Sequence, residues 1–146
     1  MKHIILALVL TTSITLQAQT LSGTLKQHAG QNISLTGFNY YQSLQLSTTI
    51  ADSLGNFTLN YPKDYKGMGV LKTQDNSSLV LTLTEQHISL TGKHLQEPNN
   101  LVFANSTSNT NFMHYANAQG LYTNALSAWR YLDKLYQKEQ LFNSQK

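Results

Sequence analysis

Apolar and polar residues alternate along most of the chain between Leu21 and Phe103, and the clearest stretch is Leu44–Tyr61. Leu44, Leu46, Thr48 and Ile50 share one face at a spacing of two, as do Phe57, Leu59 and Tyr61. Asp52-Ser53-Leu54-Gly55-Asn56 stands between the two runs with turn chemistry. The pattern predicts two half-buried strands joined as a hairpin. A lone hairpin is not stable, so further strands must complete it. The same alternation predicts strands over Leu21–Lys26, Asn32–Phe38, Met68–Gln74, Leu79–Leu83, His87–Gly92 and Leu101–Ala104, with turns at 27–31, 75–77 and 98–100. Pro62 ends the strand before it because proline has no amide to donate to a ladder. Seven to eight short strands at this spacing predict a mainly β fold, an antiparallel sandwich or open barrel.

After Ser106 the period changes. Asn105–Thr110 is rich in residues that cap helix N-termini. Phe112, Tyr115 and Ala116 follow at helical spacing, Gly120 is expected to interrupt, and Leu121–Phe142 is a strong helix. Tyr122, Ala125, Leu126, Ala128, Trp129, Tyr131, Leu132, Leu135 and Tyr136 cover an arc of about 220°. A helix lying on one sheet needs little more than about 100°. This one is expected to pack between the sandwich and a second body, or to self-associate, with Tyr122, Leu126, Trp129, Leu132 and Tyr136 as its docking face.

At the other end, Lys2 and His3 precede the apolar run Ile4–Leu10, and Ala18 offers a small residue for cleavage before Gln19. That is the layout of an export leader. The run is far shorter than the roughly 20 residues of a spanning helix, and no second such run follows. The expected organisation is a leader over 1–19, a β-sandwich over 20–105 and a helical docking segment over 106–146. The expected location is the periplasm, the cell envelope or the medium.

Composition narrows the chemistry. Only 12% of residues are charged, and the formal net charge of +3 is spread over isolated lysines and Arg130. A nucleic-acid surface needs a basic cluster, so nucleic acid is not an expected partner. The absence of cysteine excludes a disulfide framework and a thiol nucleophile within these residues. The histidines show no recognised metal spacing. His87 and His94 are expected on opposite faces if the strand continues that far, and the histidines generally are read as surface or turn residues. The carboxylates fall mostly in turns, where they accept backbone hydrogen bonds. Asp133 is placed to pair with Arg130. No glycine-flanked nucleophile or Ser-His-acid order appears. No catalytic, cofactor-binding or metal-binding residue is assigned. Phe38, Tyr40 and Tyr41 form an aromatic loop; packing at the sandwich edge is the expected role, and stacking on a sugar or peptide is the alternative. Asn32, Asn56, Asn76 and Asn105 each open an Asn-x-Ser/Thr sequon, which matters only in a host that N-glycosylates.

Several segments, in order, resemble a family of exported bacterial domains of unknown function that precede a thioredoxin-like domain of the AhpC/TSA or TlpA/ResA type. They are the leader ending in Gln17-Ala18-Gln19, Leu21-Ser-Gly-Thr-Leu-Lys26, Ala29-Gly-Gln-Asn-Ile-Ser-Leu-Thr-Gly-Phe38, Asp52-Ser-Leu-Gly-Asn-Phe-Thr-Leu59, Tyr65-Lys-Gly-Met-Gly-Val-Leu71 and Ile88-Ser-Leu-Thr-Gly92. Ala125–Tyr136 resembles the segment that leads into the redox domain. In such relatives a Cys-x-x-Cys carries the thiol–disulfide chemistry. With no cysteine here, the resemblance implies a non-catalytic accessory domain, a truncated or fragment form that positions a downstream or separate thioredoxin-like domain. The rival reading is a secreted glycan- or peptide-binding module that uses Phe38–Tyr41.

Overall fold

The computed structural model describes residues 18–136. Among these residues, eight strands build two four-stranded sheets that face each other, with one C-terminal helix and no closed barrel. In chain order they are β1 (Gln19–Leu25), β2 (Asn32–Asn39), β3 (Gln42–Ile50), β4 (Asn56–Tyr61), β5 (Gly67–Thr73), β6 (Ser78–Leu83), β7 (His87–Gly92) and β8 (Val102–Ala104). One sheet runs β4-β1-β7-β8 and the other β3-β2-β5-β6. The expected leader lies outside the described residues as far as position 17, and Gln19 is already part of the first strand, opposite Tyr61.

The alternation translates directly into burial. Leu21, Leu25, Phe57, Leu59, Tyr61, Ile88 and Leu90 point inward from one sheet, and Ile33, Leu35, Leu71, Leu79, Leu81 and Leu83 from the other. Both sets are buried in one apolar layer. Each fully buried leucine or isoleucine contributes roughly 1.5–3 kcal/mol over leaving it in water.

Partnering differs from the sequence reading in two places. Leu44–Ile50 and Phe57–Tyr61 do not form a hairpin: β3 pairs with β2, and β4 pairs with β1 in the opposite sheet. The intervening turn is an arch between sheets. Asp52 closes it, its Oδ1 accepting the N–H groups of Leu54 and Asn56 at 2.8 Å and its Oδ2 accepting Asn56 Nδ2–H at 2.9 Å. The side-chain and backbone hydrogen bonds from Asn56 hold the Asp52 carboxyl below its ordinary range. Gly55 takes φ +83° and brings its carbonyl to Leu25 N–H at 2.9 Å. The true hairpin is β2–β3, turned by Tyr40-Tyr41 between the paired residues Asn39 and Gln42. As the edge strand of its sheet, β3 leaves Leu44 and Ile50 exposed, and of its expected inner face only Leu46 packs partly on the core.

The second difference is one of direction. β1 and β7 run parallel, Leu25 lying beside Gly92, while the other pairs are antiparallel. Parallel neighbours leave the sheet at the same end, so the chain after β1 and the chain after β7 emerge side by side.

The helix α1 (Thr107–Tyr136) runs through Gly120 without a break, contrary to the expected interruption. A glycine on an exposed helix costs about 1 kcal/mol, which lowers stability without forcing a kink. At 1.5 Å per residue, α1 is about 45 Å long.

Candidate functional site

Three features stand out: an exposed hairpin tip, a projecting helix and a cluster of titratable side chains. The first is the hairpin tip. Tyr40 and Tyr41 are both fully open to solvent, at 93% and 103% relative exposure, and Phe38 is half-exposed beneath them. The expected packing at the sandwich edge does not occur for Tyr40 and Tyr41. Tyr40 adopts φ +53°, a conformation that two-residue hairpins usually give to glycine or asparagine. Beside the tip, Phe38, Leu44, Leu46, Pro62, Asp64 and Tyr65 line an open groove of about 310 Å³. Tyr65 fixes its wall: its hydroxyl accepts Phe38 N–H at 2.7 Å and donates to Met68 O at 2.7 Å.

The second is α1. Ser106 is its N-cap, its Oγ accepting Asn109 N–H at 3.3 Å. Glu85 reaches the same terminus, with Oε1 accepting Ser108 N–H at 3.2 Å. Burial acts to raise the Glu85 pKa, but hydrogen bonds from Ser108, Thr84 and Ser106 outweigh it and hold the carboxyl below its usual range. The positive end of the helix dipole favours the same ionised form. The decisive anchor is Asn109, which is fully buried. Its Oδ1 accepts Thr82 N–H at 2.7 Å and its Nδ2 donates to Thr82 O at 2.8 Å. One amide side chain thus completes the edge of β6 as a neighbouring strand would. Met113 adds an apolar contact with the core.

Beyond these turns the helix leaves the sandwich. From Gln119 to Leu135 every residue but Asp133 is exposed. The docking face expected from the sequence is therefore open along its length: Tyr122 is 70% exposed, and Leu126, Trp129 and Leu132 are each 41% or more. Tyr136 is the last described residue of the helix, and its side chain lies outside the described residues. Contact between the helix and the sandwich is confined to the first turns of α1.

The third feature was not anticipated. His28 sits in the 3-10 turn after β1, His94 in the loop after β7, and Asp75 in the β5–β6 turn. The parallel β1–β7 pair brings the two histidines together, with ring centroids 4.4 Å apart. Asp75 Oδ2 accepts His94 Nε2–H at 3.1 Å and stands 3.7 Å from His28 Nδ1. Gln96 N–H donates to His94 Nδ1 at 3.0 Å, which fixes that ring's tautomer with its proton on Nε2. His28 Nδ1 faces Gln31 Oε1 at 3.0 Å, while its Nε2 is buried with no hydrogen-bond partner. Asp75 Oδ1 accepts from Thr73 Oγ1 at 2.6 Å and from Ser77 N–H at 3.0 Å. The hydrogen bond from Thr73, with those from Ser77 and His94, holds this carboxyl far below the ordinary range against the opposing effect of desolvation.

His28 lies in a turn, as expected, but it is buried there and has no exposed surface. His87 is exposed and pairs instead with Thr20 Oγ1 at 2.7 Å. No spacing rule could have joined His28 to His94 across such a distance in sequence. Ser106-x-x-Asn109 was the better clue for the helix anchor, since the third helical position is where a polar side chain normally reaches back to the cap.

No family model matches the chain, and no curated protein matches it. Among solved structures, a 9R-lipoxygenase from Cyanothece PCC8801 aligns with 64% of the chain at 13% identity and a TM-score of 0.37. The chain spans about a fifth of that protein's length, 19%. Likeness at this level carries no argument about this chain. Among the described residues, no helix is long and apolar enough to cross a membrane.

Proposed function

We propose that this chain is a non-catalytic, exported docking domain whose projecting helix holds a thioredoxin-like domain. The observation that carries the reading is the open face of α1: Leu121, Tyr122, Leu126, Tyr131 and Leu135 are all more than half exposed on a helix secured at one end. Large exposed apolar side chains gathered on one element are what an interaction site would require. Few charges line it; between Leu121 and Leu135 they are Arg130, Asp133 and Lys134. It therefore suits a largely apolar partner surface. The identity of that partner rests on the sequence resemblance. Titrating the full chain with a purified TlpA/ResA-type domain should blue-shift Trp129 fluorescence in a saturable way. Leu126→Asp should weaken the complex about tenfold or more. A folded, monomeric chain whose emission ignores the added domain would overturn the reading. A chain that dimerises through α1 on its own would replace the redox partner with a second copy.

A second reading is favoured by the hairpin tip. A tyrosine held at positive φ sacrifices about 1 kcal/mol of stability, and strain of this kind persists at functional sites. Tyr40→Gly should therefore raise the unfolding midpoint. If the tip is a binding site for glycan or peptide, the same variant, combined with Tyr41→Ala, should lose ligand from a panel that the parent chain binds. A more stable variant with unchanged binding would remove the tip from consideration.

A further inference from the structure

We propose that His28, Asp75 and His94, with Gln31 as a fourth donor, form a binding site for a divalent transition metal ion, zinc by preference. Three separate segments deliver the donors to one place. They are the turn after β1, the β5–β6 turn and the loop after β7. The ligating atoms are His28 Nδ1, Asp75 Oδ2 and His94 Nε2, and all lie within 4.8 Å of one another. Gln31 Oε1 is 3.0 Å from His28 Nδ1. Tetrahedral zinc with bonds near 2.0–2.1 Å places its donors about 3.3 Å apart. The separations of 3.0, 3.1 and 3.7 Å already bracket that spacing. Two imidazoles, one carboxylate and an amide oxygen form a set suited to zinc or cobalt and ill-suited to calcium, which takes oxygen ligands throughout.

The second observation is the state of His28. His28 has no exposed surface, packs its ring on that of His94 and turns Nδ1 toward both Asp75 Oδ2 and Gln31 Oε1, so its donor atom is held at the cluster away from water. Ion binding would use the hydrogen bonds of the metal-free cluster rather than add to them. Each ring would offer the nitrogen that now carries its proton, and the proton would pass to the other nitrogen of the same imidazole. At His94 that nitrogen is Nδ1, which now accepts Gln96 N–H. Residues 94–97 must therefore shift when the ion enters, which supplies a readout independent of stability.

Because Asp75 follows a strand of one sheet and the two histidines follow strands of the other, the ion would tie the sheets together. The full chain, stripped with a chelator, should bind one equivalent of Zn²⁺ and gain several degrees in unfolding midpoint at saturating metal. Co²⁺ should give the visible bands of a tetrahedral site, and the Gln96 amide resonance should move. His94→Ala and Asp75→Asn should each weaken binding at least tenfold. His87→Ala and His114→Ala, which alter exposed histidines outside the cluster, should leave it unchanged. A folded chain with no cobalt band and no zinc-dependent midpoint would overturn the proposal. So would binding that survives in both His94→Ala and Asp75→Asn.

Discussion

Gly23→Ala should unfold most of the chain under conditions in which the parent is stable. Gly23 lies mid-strand in β1, between Phe57 of β4 and Leu90 of β7. A Cβ at this position would sit 1.9 Å from Leu90 O and 2.9 Å from Leu90 C. An ordinary carbon–oxygen approach is roughly 3.3 Å or more, so β1 and β7 would have to part by over an ångström. The obstacle is the backbone of β7, and no rotamer change relieves it. Separation would break ladder hydrogen bonds at the centre of a four-stranded sheet and open the core beside Leu21 and Ile88. We expect a loss of at least about 3 kcal/mol, against a total of about 5–15 for ordinary domains. Gly120→Ala is the matched control. Nothing lies within 4 Å of its Cβ, and on an exposed helix the change should stabilise by about 1 kcal/mol. Urea unfolding of the two variants checks both signs. Equal midpoints would refute the parallel β1–β7 pairing, and with it the approach of His28 to His94.

That dependence shows where sequence reading reaches its limit. Alternation at a spacing of two states which residues share a face, and the buried leucines and isoleucines of β1, β2, β4, β6 and β7 obey it. It does not state which strands are neighbours. Asp52–Asn56 has the same chemistry whether it closes a hairpin or carries the chain between sheets; the choice is made by Leu25 N–H, which pairs with Gly55 O. The exposure of Leu44 and Ile50 follows from β3 being an edge, which is a property of the sheet and not of the strand. The apolar face of α1 was legible because helical periodicity is local. The histidine cluster was not, because it depends on two strands, far apart in sequence, leaving a sheet at the same end.

Asn109→Ala should release the helix while sparing the sandwich. The amide of Asn109 pairs with both backbone groups of Thr82 and with Ser106 Oγ, the last at 2.7 Å. Alanine would leave the Thr82 N–H and C=O buried without partners, at about 1–3 kcal/mol each. The helix has a way to avoid that penalty: by swinging away it lets water reach β6. What else holds it is confined to its first turns, chiefly Glu85 on Ser108 N–H and Met113 on the core, since the described side chains beyond Asn117 are exposed apart from Ala118 and Asp133, which are partly buried. Once detached, a segment carrying Asn111, Asn117, Asn124 and Gly120 has weak helix propensity and should melt. The expected signature is a loss of helical circular dichroism and fast amide exchange at Thr82 and along 107–136. The sheet core should keep slow exchange, because both sheets close without the helix. Asn109→Asp should show the same effect in part: it keeps an acceptor for Thr82 N–H but loses the donor for Thr82 O. An Asn109→Ala variant with unchanged exchange would mean that the apolar contact of Met113, not the amide, fixes the helix. In the released state the docking face would no longer be presented as a rigid helix. Binding by the partner should then weaken in Asn109→Ala even though no residue of the binding face has changed, which separates presentation of the face from its chemistry.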